Sequence, residues 1–405
     1  MLAAVSDGDC AFTGALAAGD TRSSAACLRA LGIRISPIAD GRAVRVSGKG
    51  LGGLRKPARR LQCGNSGTTA RLLMGMLAAS PFEVTLTGDA SLRRRPMERI
   101  ASPLRTMGAR IELTQGRLPA RERGGRLTPI RYASPVASAQ VKSALLLAAL
   151  RGGIHVSLSE PVRSRDHTER LLGTLGVRCR VSGVVVDLDP ADRIPPFGGE
   201  IPGDFSSAAY LIAAALLLGR RDVSLEGVGV NPTRTGFLRA IERMGASVEA
   251  TAVRQSLGEP VATLTPDTWR PGPVEVSPDE VPGMVDEIPL LACLAARAPG
   301  TSVFRGVGEL RVKESDRLAL VATNLAGLGC RAWTEGDTLW VEGTEARLEG
   351  RIRTEGDHRL AMAFSVLGVD TDAAVEVDDP ECVQVSYPGF FRDLRSLCAG
   401  SRHHR

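Results

Sequence analysis

Leu28-Arg-Ala-Leu-Gly32-Ile-Arg-Ile35 returns, with small changes, four more times along the chain. The copies are Leu104-Arg-Thr-Met-Gly108-Ala-Arg-Ile111, Leu172-Gly-Thr-Leu-Gly176-Val-Arg-Cys179, Ile241-Glu-Arg-Met-Gly245-Ala-Ser-Val248 and Leu325-Ala-Gly-Leu-Gly329-Cys-Arg-Ala332. Each reads as the closing turn of an amphipathic helix, a glycine just past its end, and then a strand. The glycine has a physical reason, since a left-handed residue after a helix costs any other side chain about 1 kcal/mol. Turn signals follow three copies and predict hairpins, at Gly41-Arg-Ala-Val-Arg-Val46, Ser182-Gly-Val-Val-Val-Asp-Leu188 and Gly336-Asp-Thr-Leu-Trp-Val341. The copies recur about every 70 to 85 residues, and Phe391-Arg-Asp-Leu-Arg-Ser-Leu397 closes a sixth unit. The expectation is an α/β protein of six helix-and-sheet units, three to a domain. Gly227-Val-Gly-Val-Asn-Pro232 breaks the pattern and sets the expected domains at 1–229 and 230–405.

Composition narrows the class. The chain has 405 residues, 43% of them apolar and 4% aromatic, which is ample for two cores. Its longest apolar stretch, Ala208 to Gly219, is too short to span a bilayer and reads as a buried helix, so no membrane partner is expected. The opening residues meet acid at once and carry no basic region, so no leader is expected. Eight scattered cysteines without a CxxC pair read as free thiols in a reducing cytoplasm. The net charge of +6 is made by 47 arginines and only four lysines: Lys49, Lys56, Lys142 and Lys313. A lysine kept under that bias is a candidate for a place that needs a compact ammonium. Because acids are interspersed, a nucleic-acid face is not indicated, whereas a cleft for small anions fits. The tail Ser401-Arg-His-His-Arg405 reads as frayed, its histidines without an acidic or cysteine neighbour.

Several polar clusters open otherwise apolar helices. Gly64-Asn65-Ser-Gly67-Thr68 is a small-residue turn whose amides suit an anion, though no Walker lysine follows. Arg93-Arg94-Arg95-Pro96 follows a β-like run and offers planar donors for carboxylate or phosphate. Ser138-Ala-Gln140-Val-Lys142 precedes an apolar run, and Ser164-Arg165-Asp166-His167 reads as a cap, Ser164, on a helix from Asp166. Arg165 is then placed to face an anion over that helix end, and His167 has no evident partner. Asp286 stands before the apolar Ile288-Pro-Leu-Leu, where burial and a neighbouring cation tune a carboxylate in opposite directions. Arg311-Val-Lys313-Glu314-Ser-Asp-Arg317, if helical, stacks Lys313 and Arg317 on one face beside Glu314, which calls for an anion. Asp357-His358-Arg359 begins another helix. For any one cluster a capped helix or a surface ion-pair network is the plainer account.

Taken together and in order, Gly64-Asn-Ser-Gly-Thr68, Leu86-Thr-Gly-Asp-x5-Arg-Pro96, Ser138-Ala-Gln140, Arg311-Val-Lys-Glu-Ser-Asp-Arg317 and Asp357-His-Arg359 resemble the enolpyruvyl transferase family. The closer likeness is to the branch that joins phosphoenolpyruvate to shikimate 3-phosphate. The resemblance implies a two-domain inside-out α/β barrel, three repeated units in each domain, closing over substrate. It implies a cytoplasmic monomer with no metal or organic cofactor, the first domain binding mainly shikimate 3-phosphate and the second mainly phosphoenolpyruvate. Carried over by position, Ser138, Gln140 and Arg165 hold shikimate 3-phosphate with Ser164 nearby, and Asp286 takes the proton of the attacking 5-hydroxyl. Arg95, Arg317 and Arg359 bind phosphoenolpyruvate, Lys313 stands where the substrates meet, Glu314 protonates the methylene carbon, and His358 supports departure of phosphate. Asn65 and Gly67 shape the anion turn. Gly67 stands where some glyphosate-tolerant members carry alanine, which implies sensitivity.

Two departures accompany the resemblance. Family members begin with a strand and a Pro-Gly-x-Lys-Ser-x-Ser-x-Arg segment, whereas this chain starts at Met1-Leu-Ala-Ala-Val5, in or after the helix that follows it. The expectation is a truncated chain whose second domain lacks its first strand. Val385, two residues before Tyr387-Pro388, takes the place of a lysine common in the family. A catalytically impaired homologue that still binds phosphorylated ligands is therefore the alternative. The relative acting on UDP-N-acetylglucosamine is a poorer one, because the loop at Arg93 to Arg95 lacks its cysteine.

Overall fold

The computed structural model describes residues 1–370 and 372–400. The tail histidines His403 and His404 lie outside the described residues. Twelve helices are described: α1 (Gly19–Ala30), α2 (Gly67–Leu77), α3 (Ala90–Arg94), α4 (Glu98–Thr106), α5 (Ala139–Gly152) and α6 (His167–Thr174). Then come α7 (Phe205–Leu217), α8 (Gly236–Arg243), α9 (Ile288–Ala295), α10 (Arg317–Gly327), α11 (His358–Leu367) and α12 (Phe390–Gly400). The five repeat glycines stand one residue beyond the ends of α1, α4, α6, α8 and α10, just after the C-cap, with φ of 92°, 113°, 76°, 83° and 95°. Those values are left-handed or open toward it, so glycine at these sites is a conformational necessity.

The chain divides into two compact units, the first made mostly of residues 1–201; the described strands form six sheets, and the repeat shows most clearly in this first unit. Its sheets run Gly198–Glu200, Asp9–Thr13, Val44–Ser47, Arg34–Ile35; then Leu61–Gln62, Glu83–Thr87, Arg117–Arg123, Arg110–Thr114; then Ile130–Ala133, Val156–Ser159, Val185–Leu188, Cys179–Ser182. In each the first pair is parallel and the next two are antiparallel. The expected hairpins at Gly41 and Gly183 are the last pairs of the first and third sheets. In the second unit Glu275–Val276, Gly300–Phe304, Thr338–Gly343 and Arg331–Glu335 repeat the same order, with the third hairpin at Gly336. Its other sheets are Leu225–Gly229 with the long hairpin Ala246–Ser256 and Glu259–Trp269, and the parallel pair Leu348–Ile352 and Ala373–Val377.

Within each unit the apolar helices occupy the interior and the sheets lie outside them. Residues 117–123 alternate exposed and buried, whereas α5 is buried almost throughout from Val141 to Leu150. α2 packs on α5 so closely that a Cβ on Gly75 would stand 2.1 Å from the Ala144 carbonyl oxygen. Only glycine permits that approach. The second unit buries α9 and α11 in the same way.

The units divide between Ile201 and Pro202, earlier than the boundary expected at 229/230, and residues 256–259 group with the first unit. α7 explains the difference, because Phe205, Tyr210 and Ile212 are buried in the second core beside Phe237 and Phe364. The Gly-Pro stretch that set the expected boundary is a strand end and the approach to α8. Residues Leu2–Val5 form a short 3-10 turn. Among the described residues no helix is long and apolar enough to cross a membrane, and the eight cysteines are free.

Candidate functional site

In the first unit two helix mouths lie side by side. Ser66 caps α2 by accepting from Thr69 N, and Ser138 caps α5 by accepting from Val141 N at 3.5 Å. The Gln140 amide joins them, donating to Thr68 Oγ1 at 2.8 Å and accepting from Arg71 Nη1 at 2.6 Å. Arg71 is buried and also donates to the Pro96 carbonyl at 3.2 Å. Two positive helix ends and a buried guanidinium thus meet in one place, a field that favours an anion. Of the three consecutive arginines, Arg93 and Arg94 are exposed and Arg95 is buried, donating to Asn65 Oδ1. Asn65 in turn donates to Asp89 at 2.9 Å, so the glycine-rich turn orients Arg95. A Cβ on Gly67 would stand 3.0 Å from Arg71 Nη1 and 3.2 Å from Arg95 Nη1.

Ser164 is not the expected cap. α6 starts at His167, after Asp166, whose carboxylate takes Arg163 at 2.6 Å and Arg170 at 2.8 Å instead of capping the helix. The Ser164 hydroxyl donates to the Glu160 carboxylate at 2.7 and 2.9 Å to its two oxygens, and Arg165 is half-buried beside it in sequence. His167 has a partner that no local reading could supply: its Nδ1 lies 2.8 Å from Glu259 Oε1. Lys142 is 3% exposed and sits 2.9 Å from Glu160 and 2.7 Å from Glu169.

In the second unit four helix starts converge on buried charge. Arg317, 1% exposed, donates Nε to Asp357 at 2.8 Å, Nη1 to Asp286 at 3.4 Å and Nη2 to Glu314. Burial opposes its charge, but Asp357, Glu314 and Asp286 outweigh burial and hold its pKa above the ordinary arginine value. The segment 311–317 is not one helix. Gly308–Val312 is a 3-10 turn, Lys313 departs from it in an extended bend, and Asp316 starts α10 afresh by accepting from Ala319 N at 3.0 Å. Lys313 lies 3.8 Å from Glu309 and does not stack on Arg317 along a helical face. Asp357 caps α11 through Arg359 N at 2.9 Å while holding Arg317, and Ser315 donates to it at 3.0 Å.

His358 is buried next to this cap. Burial first, and then Arg359, lower its pKa to about 4, so it is neutral at physiological pH. Burial also opposes the charge of Arg359, yet Tyr210, Asp286, Asp204 and Glu287 raise its pKa well above the arginine value. Sequence reading missed the other half of this cluster. Arg234, buried, donates to Ser206 Oγ at 2.7 Å and lies 3.9 Å from Asp286; Ser206 donates to the buried Glu287. Arg234 lies just past the Gly-Pro stretch that set the expected boundary and belongs to none of the polar clusters read from the sequence. Asp204-Phe-Ser206 carries the same signal as Ser138, a polar opening on an oily helix, and could have been found by that rule. Among the described residues no cluster of histidine, cysteine and carboxylate side chains suits a metal ion.

The chain as a whole matches known proteins. A family model described as EPSP synthase (3-phosphoshikimate 1-carboxyvinyltransferase) matches residues 1–394. The 3-phosphoshikimate 1-carboxyvinyltransferase of Gloeobacter violaceus is 47% identical over 397 residues, covering 97% of this chain and 92% of that protein. A namesake from Thermus thermophilus is 45% identical over 404 residues, covering 99% and 93%. The solved structure of EPSP synthase from Acinetobacter baumannii superposes with a TM-score of 0.84 at 38% identity, covering 98% of this chain and 92% of that one. The enolpyruvyl transferase NikO from Streptomyces tendae shares the fold, with a TM-score of 0.76 at 18% identity, covering 98% and 90%. Likeness of this extent, from end to end of the match and well above the level of fold alone, places the chain in the EPSP synthase (3-phosphoshikimate 1-carboxyvinyltransferase) family.

Proposed function

We propose that this chain transfers the enolpyruvyl group of phosphoenolpyruvate to the 5-hydroxyl of shikimate 3-phosphate and releases phosphate, a step toward chorismate and the aromatic amino acids. The observation that carries the reading is the Arg317 hub, where one buried guanidinium holds two carboxylates with separate tasks, Asp286 and Glu314. Asp286 accepts the hydroxyl proton, and Glu314 delivers a proton to the methylene carbon of phosphoenolpyruvate. Carbon 2, made cationic, bonds to the hydroxyl oxygen to give a tetrahedral adduct. Loss of a proton from the new methyl group and of phosphate from carbon 2 restores the double bond. Arg95, Arg317 and Arg359 hold the anionic groups of phosphoenolpyruvate, with Lys313 beside the reacting centre, so that fixed charge meets the charge that develops. The neutral His358 supports the departing phosphate. Asn65 and Gly67 keep Arg95 in place.

Shikimate 3-phosphate is assigned to the first unit, on Ser138, Gln140 and Arg165. The Ser138 hydroxyl accepts from its helix and keeps its proton for a phosphate oxygen, whereas the Ser164 proton goes to Glu160. Ser164 therefore contributes its position more than a direct bond. Phosphoenolpyruvate is assigned mainly to the second unit. The reading includes a cytoplasmic monomer and needs no metal, organic cofactor, nucleic acid or membrane. Phosphorus NMR of the purified chain with both substrates tests it. Phosphate and the enol ether should appear only when both substrates are present, and Asp286→Asn should slow them about a thousandfold. Equal rates in the variant and the parent chain would reject the assignment.

A further inference from the structure

Lys142 is one of the four lysines that the composition singled out, and the proposed chemistry leaves it unused. Its ammonium is enclosed by three oxygens: Glu160 Oε2 at 2.9 Å, Glu169 Oε1 at 2.7 Å and the Ser164 carbonyl at 3.4 Å. All four residues are buried. Two hydrogen-bond acceptors and a third, ion-paired oxygen around one ammonium suit a compact cation, and the planar, longer fork of arginine does not fit the same cage. That accounts for a lysine in a chain that otherwise uses arginine.

Glu160, at the end of strand Val156–Ser159, is the hub of the cluster. One carboxylate oxygen accepts from Ser138 N at 2.9 Å and from the Ser164 hydroxyl at 2.7 Å. The other accepts from Lys142 Nζ at 2.9 Å, from Ser164 N at 3.3 Å and from the Ser164 hydroxyl at 2.9 Å. A single carboxylate therefore fixes the first residue of the α5 mouth and the loop that carries Arg165. Left without Lys142 it would be a lone buried charge beside the place assigned to a phosphate dianion, which is unfavourable twice over. Glu169 differs, because its ion pair is with Lys142 and it binds neither the Ser138 amide nor the Ser164 hydroxyl. Burial raises its carboxyl pKa against the pull of Lys142, which eases two carboxylates sharing one ammonium.

We propose that Glu160, neutralised by Lys142, is a positioning residue for phosphate recognition: it holds Ser138 and the Ser164–Arg165 loop at the spacing that the phosphate of the acceptor substrate requires. The proposal rests on the assignment of shikimate 3-phosphate to this site. A positioning role separates the two substrates, as a purely structural role does not. Glu160→Gln should raise KM for shikimate 3-phosphate at least tenfold while KM for phosphoenolpyruvate stays within twofold. Lys142→Met should do the same, and Lys142→Arg should fail to restore the parent value. Glu169→Gln should lower thermal stability with KM for shikimate 3-phosphate within threefold.

Calorimetric titration of the parent chain with shikimate 3-phosphate comes first. No binding there overturns the substrate assignment and the proposal together. Binding by the parent chain, with a KM for shikimate 3-phosphate unchanged in folded Glu160→Gln, overturns the positioning role alone. So does an equal rise in both KM values, or a Glu169→Gln effect as large as that of Glu160→Gln. If Glu160→Gln does not fold, the double variant E160Q/K142M removes this ion pair and leaves Glu169, whose raised pKa lets it take up a proton, and is read in the same way.

Discussion

Arg71 Nη1 and Gln140 Oε1 stand 2.6 Å apart, tying the first turns of α2 and α5 together inside the first unit. Arg71 is buried and Gln140 half-buried, so the bond holds both side chains in place. Arg71→Leu should therefore release the Gln140 amide and raise KM for shikimate 3-phosphate about 10- to 100-fold, the range of a lost hydrogen bond to a charged group. Steady-state kinetics with each substrate varied in turn will check this, and an unchanged KM in a folded variant would remove Arg71 from the site.

Gly67→Ala is expected to act through its neighbours. The new methyl group would crowd Arg71 Nη1 at 3.0 Å and Arg95 Nη1 at 3.2 Å. Displacing Arg95 by a few tenths of an ångström should raise KM for phosphoenolpyruvate about threefold to tenfold, since positioning by charged groups is steep in distance. The parent chain should be inhibited by millimolar glyphosate and the variant less so. Paired inhibition curves decide it, and a parent chain indifferent to millimolar glyphosate would end the idea.

His358 gives the second unit a dependence on acid. Its folded pKa of about 4 lies below the unfolded value of 6.5, so the unfolded chain binds the proton more readily. The stabilisation is full above pH 6.5 and is lost as pH falls toward 4. Between pH 7.5 and pH 5 the loss should be on the order of 2 kcal/mol. Urea unfolding of the parent chain and of His358→Gln at both pH values measures it, and equal losses in the two would assign the effect elsewhere.

Glu122 behaves in the opposite sense. It points inward from the second sheet of the first unit, across from Val84 and Ile111, 1% exposed and with both carboxylate oxygens lacking hydrogen-bond partners. Burial raises its pKa well above the carboxylate range. Stability it contributes is present below the unfolded pKa and lost as pH rises through the folded one. Glu122→Gln should thus stabilise the first unit by about 1–2 kcal/mol at pH 8 and less at pH 5. Thermal melts at the two pH values test this, and a gain that is larger in acid would contradict it.

Much of the architecture was legible because it rests on local rules. A glycine after each repeat helix and a turn before each hairpin are decided within a few residues, and Gly32, Gly108 and Gly336 carry the positive φ those rules require. Polar openings on apolar helices marked Ser138 and Asp357 for the same reason. What stayed hidden depends on partners far along the chain. Lys142 meets Glu160 and Glu169, His167 meets Glu259, and Arg234 meets Ser206 only after folding. Local capping also won where periodicity suggested a continuous helix, since Asp316 restarts the backbone between Lys313 and Arg317. The division between units escaped because α7 joins the second core through packing that no turn signal announces.

Gly75 removes the spacer between α2 and α5, so the heads of the two helices belong to one stiff piece. Under the proposed substrate assignment, a change that retunes the α2 head for one substrate is thereby transmitted to the α5 head proposed to grip the other. Under that assignment, tolerance to an inhibitor and affinity for the acceptor would not be independently adjustable, and an evolving or engineered variant would have to satisfy both.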